Sequence, residues 1–459
     1  MLTLEQQAAV DTISSPDCSY LKVNAVSGAG KTSTLIAIAQ ALPVKHGLYL
    51  AFNKAIANEA YTKFPSHIEC RTLHSLAYAF IIKGSTRTIQ EFTVDNITDN
   101  LLPTQKYDIV QHLNEFFASA SLDIEEFLSG NELLPYCYKY LHQMEDGTIP
   151  STFGFILKRF QVLVHLNMIK LPHYDLLMLD EAGDVTACSL DLFNHIPATK
   201  KVMVGDVNQN LYSFMHTING FEEMDGHGKE LSLTQSFRVS TAIAKRVEKF
   251  CHKYIDPKMK FSGYDSGNDK IDTIAYLSRT NSALISRMMK LHDTRTPYTL
   301  LRPLDSIFSL PLTIANINNP KWNIPKEYIH IKAVADKYYE SAELPITYKS
   351  VYGYIRHYFM YDVQIQTAIS LVTTHSPKTI IDTYFTAKTL ARPKQKITLA
   401  TGFSSKGCEY DYVYIEDDLN SAVEDTIQSP DQDLTMLYLY YTACTRARKV
   451  LDNAKALSL

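Results

Sequence analysis

The 459-residue sequence has no Cys-x-x-Cys pair, no obvious repeat and no low-complexity tract. It also lacks any apolar run of the ~18 residues that a membrane-spanning helix needs, so no transmembrane segment is expected. Its seven cysteines, at 18, 70, 137, 188, 251, 408 and 444, are odd in number and unpatterned. That pattern argues for reduced thiols inside a cell and against a zinc or iron–sulfur site. Met1-Leu2-Thr3-Leu4-Glu5 brings an acidic residue before any apolar core, so no signal peptide is expected. A large excess of either charge is absent as well: the formal net charge is −4, with charged residues at 20%. A chain that is no global polycation would have to bind nucleic acid through a local basic groove. Trp322 is the sole tryptophan, whereas tyrosines number 29. With 46% hydrophobic residues, the length suits a soluble, intracellular globular protein of a few domains.

Against these absences stands one dense signal. Ala25-Val26-Ser27-Gly28-Ala29-Gly30-Lys31-Thr32 is a phosphate-binding loop. The apolar run Leu21–Val26 before it reads as a buried strand, and Ser33–Leu42 after it as a helix closed by Pro43. A strand, a Gly-rich turn and a helix place backbone N–H groups and a helix N-terminus around a phosphate. Gly28, Gly30, Lys31, Thr32 and Ser33 are the expected cradle for ATP. Lys31 would reach the β/γ-phosphates and Thr32 would hold Mg²⁺.

Such a loop requires a carboxylate at the end of another strand. Leu176-Leu177-Met178-Leu179-Asp180-Glu181 reads as a buried parallel strand with Asp180 poised for Mg²⁺ and Glu181 for the attacking water. Alone, the string equally describes an acidic strand end before a helix cap. A further apolar strand, Val202–Gly205, leads to Asp206-Val207-Asn208-Gln209-Asn210-Leu211-Tyr212-Ser213-Phe214. Gln209 is a candidate γ-phosphate sensor, and Tyr212 and Phe214 offer flat faces, though simple packing would also suit them. In Leu233-Thr234-Gln235-Ser236-Phe237-Arg238, an adenine would stack on Phe237 and Arg238 would neutralise phosphate charge. Taken alone, that pair reads more readily as a core Phe with a solvated Arg.

These strings, in this order, resemble the superfamily 1 DNA helicases of the UvrD/Rep type, from Leu2 to about Leu451. Leu2–Val10 resembles the Q motif, which implies that Gln6 reads the adenine edge. Thr401-Gly402-Phe403-Ser404-Ser405-Lys406-Gly407-Cys408-Glu409-Tyr410 resembles motif V, implying a ribose contact for Glu409. Tyr441–Ala447 resembles motif VI, implying an arginine finger in Arg446. Ala51–Ala57, Arg71–Tyr78, Phe116–Ala120, Leu233–Arg238 and motif V followed by Glu416-Asp417-Asp418-Leu419 bring the likeness nearest to the F-box DNA helicase branch. With the Q motif starting at residue 2, no F-box is expected, and the ubiquitin-ligase role of that branch is not carried over. A viral, phage or bacterial source would suit a motor of this size.

Departures from the family pattern are specific. Motif II reads Asp180-Glu181-Ala182-Gly183-Asp184, where Gly183 replaces a glutamine. Phe403 stands for a histidine, Phe214-Met215-His216-Thr217 departs from the usual string after motif III, and Met436 and Leu437 replace an acidic and an arginine residue. None removes a group expected to bind Mg²⁺ or phosphate. They bear on coupling and unwinding more than on hydrolysis.

The fold class expected is α/β: two RecA-like P-loop NTPase domains with parallel sheets, each carrying a small, mainly helical insertion. Residues 1–82 and 168–240 would form the first core, 83–167 its insertion, 241–303 and 392–459 the second core, and 304–391 a short second insertion. The resemblance implies that both cores contribute to the ATP site. It also implies 3′-to-5′ movement on single-stranded DNA or a 3′-tailed duplex, in replication, repair or recombination, by a monomer. Base-stacking positions fall on Phe52, Tyr212 and Phe214, with Asn53 and His74 nearby. Lys54, Arg71 and Arg279 are candidate backbone contacts, and solvated surface charge describes them as well. Lys245–Lys249 reads as an amphipathic helix with a solvated face. Rival readings are a translocase that strips recombinase or single-strand-binding proteins with little unwinding, a nucleotide-binding switch that is no motor, and RNA as the track.

Overall fold

The computed structural model describes residues 2–83, 87–212, 215–340, 350–429 and 434–459. The chain divides into two compact units, Met1–Ser236 and Phe237–Leu459.

In the first unit the strands are β1 (Tyr20–Ala25), β2 (Gly47–Leu50), β3 (Ile68–Arg71), β4 (Tyr174–Leu179), β5 (Val185–Thr186), β6 (Ala198–Gly205), β7 (Thr217–Ile218) and β8 (Lys229–Leu233). The helices are α1 (Leu4–Ser14), α2 (Lys31–Ala41), α3 (Lys54–Lys63), α4 (Leu73–Ile81), α5 (Pro103–Ala118), α6 (Ile124–Phe127), α7 (Leu134–Asp146), α8 (Phe153–His165), α9 (Ala187–His195) and α10 (Gly220–Glu223). Six strands form one sheet in the order β3-β2-β4-β6-β1-β8, every pairing parallel, while β5 and β7 pair antiparallel. The central strands are apolar on both faces because helices cover both: Leu176, Leu177 and Met178 of β4 are fully buried. Helix starts follow local chemistry. Asn53 caps α3, Thr72 caps α4 and Thr152 caps α8, each side chain accepting from a first-turn amide. Helices α5 to α8 do not bury a core of their own. Phe116, Phe117, Tyr140, Phe155 and Phe160 share one apolar cluster with Leu48 and Leu50 of β2, Leu177 of β4 and Phe193 of α9.

The second unit holds β9 (Ile274–Ser278), β10 (Thr299–Leu300), β11 (Ile397–Thr401), β12 (Tyr410–Ile415) and β13 (Ala447–Asp452). They form a sheet in the order β10-β11-β9-β12-β13, again all parallel. Its helices are α11 (Thr241–Tyr254), α12 (Asn281–Asp293), α13 (Leu304–Ala315), α14 (Ile329–Glu340), α15 (Val351–Tyr358), α16 (Val363–His375), α17 (Pro377–Leu390), α18 (Asp417–Gln428) and α19 (Leu434–Cys444). The inserted helices α13 to α17 pack on α12 and on Leu399 of β11 through Phe308, Ile331, Ile355, Ile369 and Ile380. Among the described residues no helix is long and apolar enough to cross a membrane. The chain is therefore α/β, built on two parallel sheets with helical insertions.

Candidate nucleotide site and nucleic-acid face

Because every strand of the six-stranded sheet runs the same way, the loops after β1, β2, β3, β4, β6 and β8 all leave from one edge. In open α/β sheets, ligands bind beyond the carboxyl ends of the strands. Most of the first unit's sequence-predicted residues lie in or next to those loops.

After β1 the chain turns with Gly28 at φ 78° and Gly30 at φ 82°, both left-handed, and Gly30 caps α2. A side chain is disfavoured there for a second reason: a Cβ on Gly30 would lie 2.7 Å from Gln6 Nε2. Gln6 is buried. Its Oε1 accepts from the Thr3 amide at 3.0 Å, and its Nε2 donates to the Ala29 carbonyl at 3.3 Å. The residue therefore both closes the capping box of α1 and holds that helix against the phosphate loop. Lys31 and Thr32 open α2 half-buried, and Ser33 is exposed.

Lys31 Nζ stands 3.5 Å from Glu181 Oε1. Asp180 is buried at the end of β4. Its Oδ2 accepts a hydrogen bond of 2.6 Å from the buried Tyr49 hydroxyl, and its Oδ1 accepts from the Glu181 amide at 2.9 Å. Burial first, and the adjacent Glu181 carboxylate second, hold the Asp180 carboxyl above the usual range. Tyr49 is a site residue that sequence reasoning missed. Its signal was present, a lone hydroxyl in the apolar run of β2, one residue before the strand's end. Glu181 takes a left-handed backbone (φ 55°), uncommon for a residue with a side chain.

The loops after β4 and β6 touch. Ala182 N donates to Val204 O at 2.9 Å. A Cβ on Gly183 would fall 2.4 Å from the Asp206 carbonyl oxygen, and one on Gly205 would fall 2.7 Å from Gly183 N. Gly183, noted above as a lost amide, thus has a packing reason of its own. Asp206 accepts from Asn208 N at 3.1 Å and from Gln209 Nε2 at 2.8 Å, which orients the buried Gln209 amide. Asp184, also buried, accepts from Leu211 N at 3.0 Å and Tyr212 N at 3.3 Å. The last carboxylate of motif II, Asp184, therefore shapes the loop that presents Tyr212.

Tyr212 stacks on Phe52, with ring centroids 5.9 Å apart and planes at 18°. Phe52, Asn53 and Lys54 are exposed beyond β2, and Asn53 Oδ1 caps α3. His74 is exposed on α4, its ring edge-on to Phe153 at 6.4 Å. Arg71 pairs with Glu69 at 2.7 Å. Phe214 lies outside the described residues.

In the second unit Phe237 is exposed near Tyr264, with ring centroids 6.2 Å apart. Arg238 Nε donates to Glu409 Oε2 at 2.9 Å, and Arg448 pairs with the other oxygen of the same carboxylate. Burial alone would raise the Glu409 pKa, but the Arg238 and Arg448 guanidiniums override it and hold the carboxylate below its ordinary range. Arg446 is buried. It donates from Nε to Thr442 O at 2.8 Å and from Nη1 to Cys408 O at 3.3 Å. Glu409 and Arg446 precede β12 and β13, the sheet edge opposite the one from which Gly402 and Glu416 emerge. The Glu416–Leu419 string has a structural role: Glu416 takes a bidentate bond from Arg287 at 2.6 and 3.0 Å, and Asp418 accepts from the Arg279 and Thr280 amides.

Known proteins resemble this chain in sequence. A family model described as an AAA domain matches residues 6–215. F-box DNA helicase protein 1 of Schizosaccharomyces pombe is 25% identical over 524 residues, covering 98% of this chain and 57% of that protein. F-box DNA helicase 1 of Gallus gallus is 24% identical over 509 residues, covering 95% of this chain and 47% of that protein. The chain spans about half the length of the curated relatives it matches. The domain match and the near-complete coverage of this chain support a likeness to these DNA helicases.

Proposed function

We propose that the chain is an ATP-driven DNA helicase or translocase that moves 3′ to 5′ along single-stranded DNA. The observation that carries the reading is the approach of Lys31 to Glu181 beside the buried, Tyr49-bound Asp180. A cation, the carboxylate it pairs with and a metal-competent carboxylate stand together at the mouth of a glycine-built phosphate cradle. The donor set fits Mg-ATP: Thr32 and Asp180 offer hard oxygen ligands, as Mg²⁺ prefers. Bound there, Mg²⁺ would neutralise charge on the phosphate oxygens. Lys31 would leave Glu181 for the β/γ-phosphates, freeing that carboxylate to orient water and take its proton. Gln209, held by Asp206, would report the state of the γ-phosphate to the loop that ends in Tyr212. Phe237 would stack on the adenine, with Gln6 at its edge. Arg238 and Arg446 would supply positive charge to the transition state once Arg238 lets go of Glu409 and Arg446 lets go of Thr442 and Cys408. Glu409, released in turn, would contact the ribose.

Phe52 and Tyr212 would carry unpaired bases. Stacking on flat rings is tolerant of sequence and worth ~1–3 kcal/mol per base, which suits a motor that must release at each step. The test is steady-state ATPase with and without poly-dT, followed by unwinding of 3′- and 5′-tailed duplexes. Lys31→Ala should cut DNA-stimulated turnover by at least ~10²-fold, the usual cost of removing one transition-state charge contact. Robust residual hydrolysis would remove the site assignment, and absence of DNA stimulation in the wild type would favour a nucleotide switch. The short second insertion, built of α13 to α17, favours a second reading: stripping of proteins from single strands with little unwinding. A filament-clearing assay run beside strand displacement separates the two.

A further inference from the structure

Away from the phosphate loop, on the outer side of the first unit, three side chains converge that none of the motifs uses. His165 ends α8, and Asp191 and His195 lie one turn apart on α9. One ring nitrogen of each histidine and a carboxylate oxygen of Asp191 lie within 4.8 Å of one another. His165 Nε2 is 2.8 Å from Asp191 Oδ2, His195 Nδ1 is 3.2 Å from Asp191 Oδ1, and the two imidazole centroids are 3.9 Å apart. We propose that His165, Asp191 and His195 form a binding site for one divalent transition-metal ion of the Zn²⁺ type, which would fasten α8 to α9.

Three features support it. First, the donors suit the ion: two imidazoles and a carboxylate with a fourth position open to water is a common zinc set, and metal–ligand bonds near 2.0 Å place ligand atoms roughly 3.3 Å apart around a tetrahedron. The two nitrogen–oxygen separations, 2.8 and 3.2 Å, run to different oxygens of Asp191, and His195 Nδ1 also lies 2.9 Å from the Asp191 carbonyl oxygen, so the His195 ring would leave that carbonyl and turn slightly to bind. Second, Asp191 and His195 share one helix face at a spacing of four, the spacing by which helices present chelating pairs. Third, the carboxylate has an orienting shell. Buried Gln161 donates from Nε2 to Asp191 Oδ2 at 2.7 Å, and its Oε1 accepts from buried Lys158 at 2.7 Å. Lys158 is itself fixed on the Ser119 and Ser121 carbonyls. Outer partners of this kind hold metal ligands in place. The scattered cysteines spoke against zinc in the sequence, but these donors are nitrogen and oxygen, drawn from helices that the chain order keeps apart. The inserted helices and α9 share one apolar cluster, and the metal would be a surface tie across it.

The experiment is a titration of the full, metal-stripped chain with Co²⁺ and then Zn²⁺, without nucleotide, followed by visible absorption and by melting temperature. The expected result is one equivalent bound with a four-coordinate d–d spectrum lacking thiolate charge transfer, and a raised melting temperature. His165→Ala and His195→Ala should each weaken binding at least ~10-fold, and Gln161→Leu roughly 10-fold, the usual cost of losing an orienting partner. His195 is the most exposed of the three, so His195→Ala serves even if His165→Ala disturbs folding. Equal affinity in wild type and His195→Ala, a thiolate spectrum, or no saturable binding by folded wild type would each overturn the proposal.

Discussion

Replacing Gly183 by alanine tests whether the loops after β4 and β6 are locked by backbone contact. The new Cβ would lie 2.4 Å from the Asp206 carbonyl oxygen and 3.2 Å from its carbon. An ordinary separation is about 3.5 Å, so one loop must yield by roughly 1 Å. Both neighbours are backbone atoms, so no side chain can rotate away. Overpacking of this kind costs ~1–3 kcal/mol. The functional consequence should be larger, because Gly183 is two residues from Glu181 and Asp206 orients the Gln209 amide. A misplacement of about 1 Å at such groups costs on the order of 10²-fold in rate. A matched control is Gly353→Ala in α15, where the added Cβ would sit 3.6 Å from Ser350 Oγ in ordinary contact. That change should stabilise by about 0.4–1 kcal/mol, by restricting the unfolded chain, and leave ATPase alone. Denaturant melts and kcat/KM for ATP on both variants decide the matter. A Gly183→Ala protein with wild-type stability and wild-type kcat/KM would refute the close approach.

Tyr49→Phe keeps the ring but removes the hydroxyl that donates to Asp180 at 2.6 Å; the Mg²⁺ dependence of hydrolysis should weaken ~10–100-fold, and an unchanged Mg²⁺ titration would show that the bond orients nothing. Phe52→Ala and Tyr212→Ala should each lower single-strand affinity roughly 5- to 150-fold, from ~1–3 kcal/mol of stacking, with basal ATPase retained; loss of basal ATPase at equal DNA affinity would count against the stacking face. Burial pushes the Lys158 ammonium down to about 8, below its unfolded value, so protonation favours unfolding: the destabilisation is full below pH 8 and is relieved as pH rises from there toward the unfolded value, by up to ~3 kcal/mol. Relative to Lys158→Met, wild-type stability should therefore climb between pH 8 and 10, and parallel curves for the two proteins would refute the assignment.

What the sequence makes legible is what it writes contiguously. The phosphate loop, the Asp180-Glu181 strand end and the start of α3 each lie within a few residues, where strand, turn and cap chemistry act locally. The parallel sheet then turns chain order into position, so that six separated strand ends share one edge. What the sequence leaves out is contact made across that edge. Tyr49 meets Asp180 across 131 residues of chain, and the lone hydroxyl in Leu48-Tyr49-Leu50 marks a polar group in a buried strand without saying which residue it meets. The three side chains of the proposed metal site come from two helices separated by β4 and β5. Gln6 looks like a nucleotide reader in the string and is a cap and a brace in the fold, because one amide serves both Thr3 and Ala29. Gly183 shows the same limit from the other side. In the string it is a missing amide, a loss; between β4 and β6 it is the residue that permits two loops to touch, one carrying Glu181, proposed to orient water, and the other Gln209, the proposed phosphate sensor. If those loops move as one body through backbone contact, a glutamine at this position is not needed to join them. The departure from the family pattern would then mark a different mechanical link between the two loops, in place of a broken one.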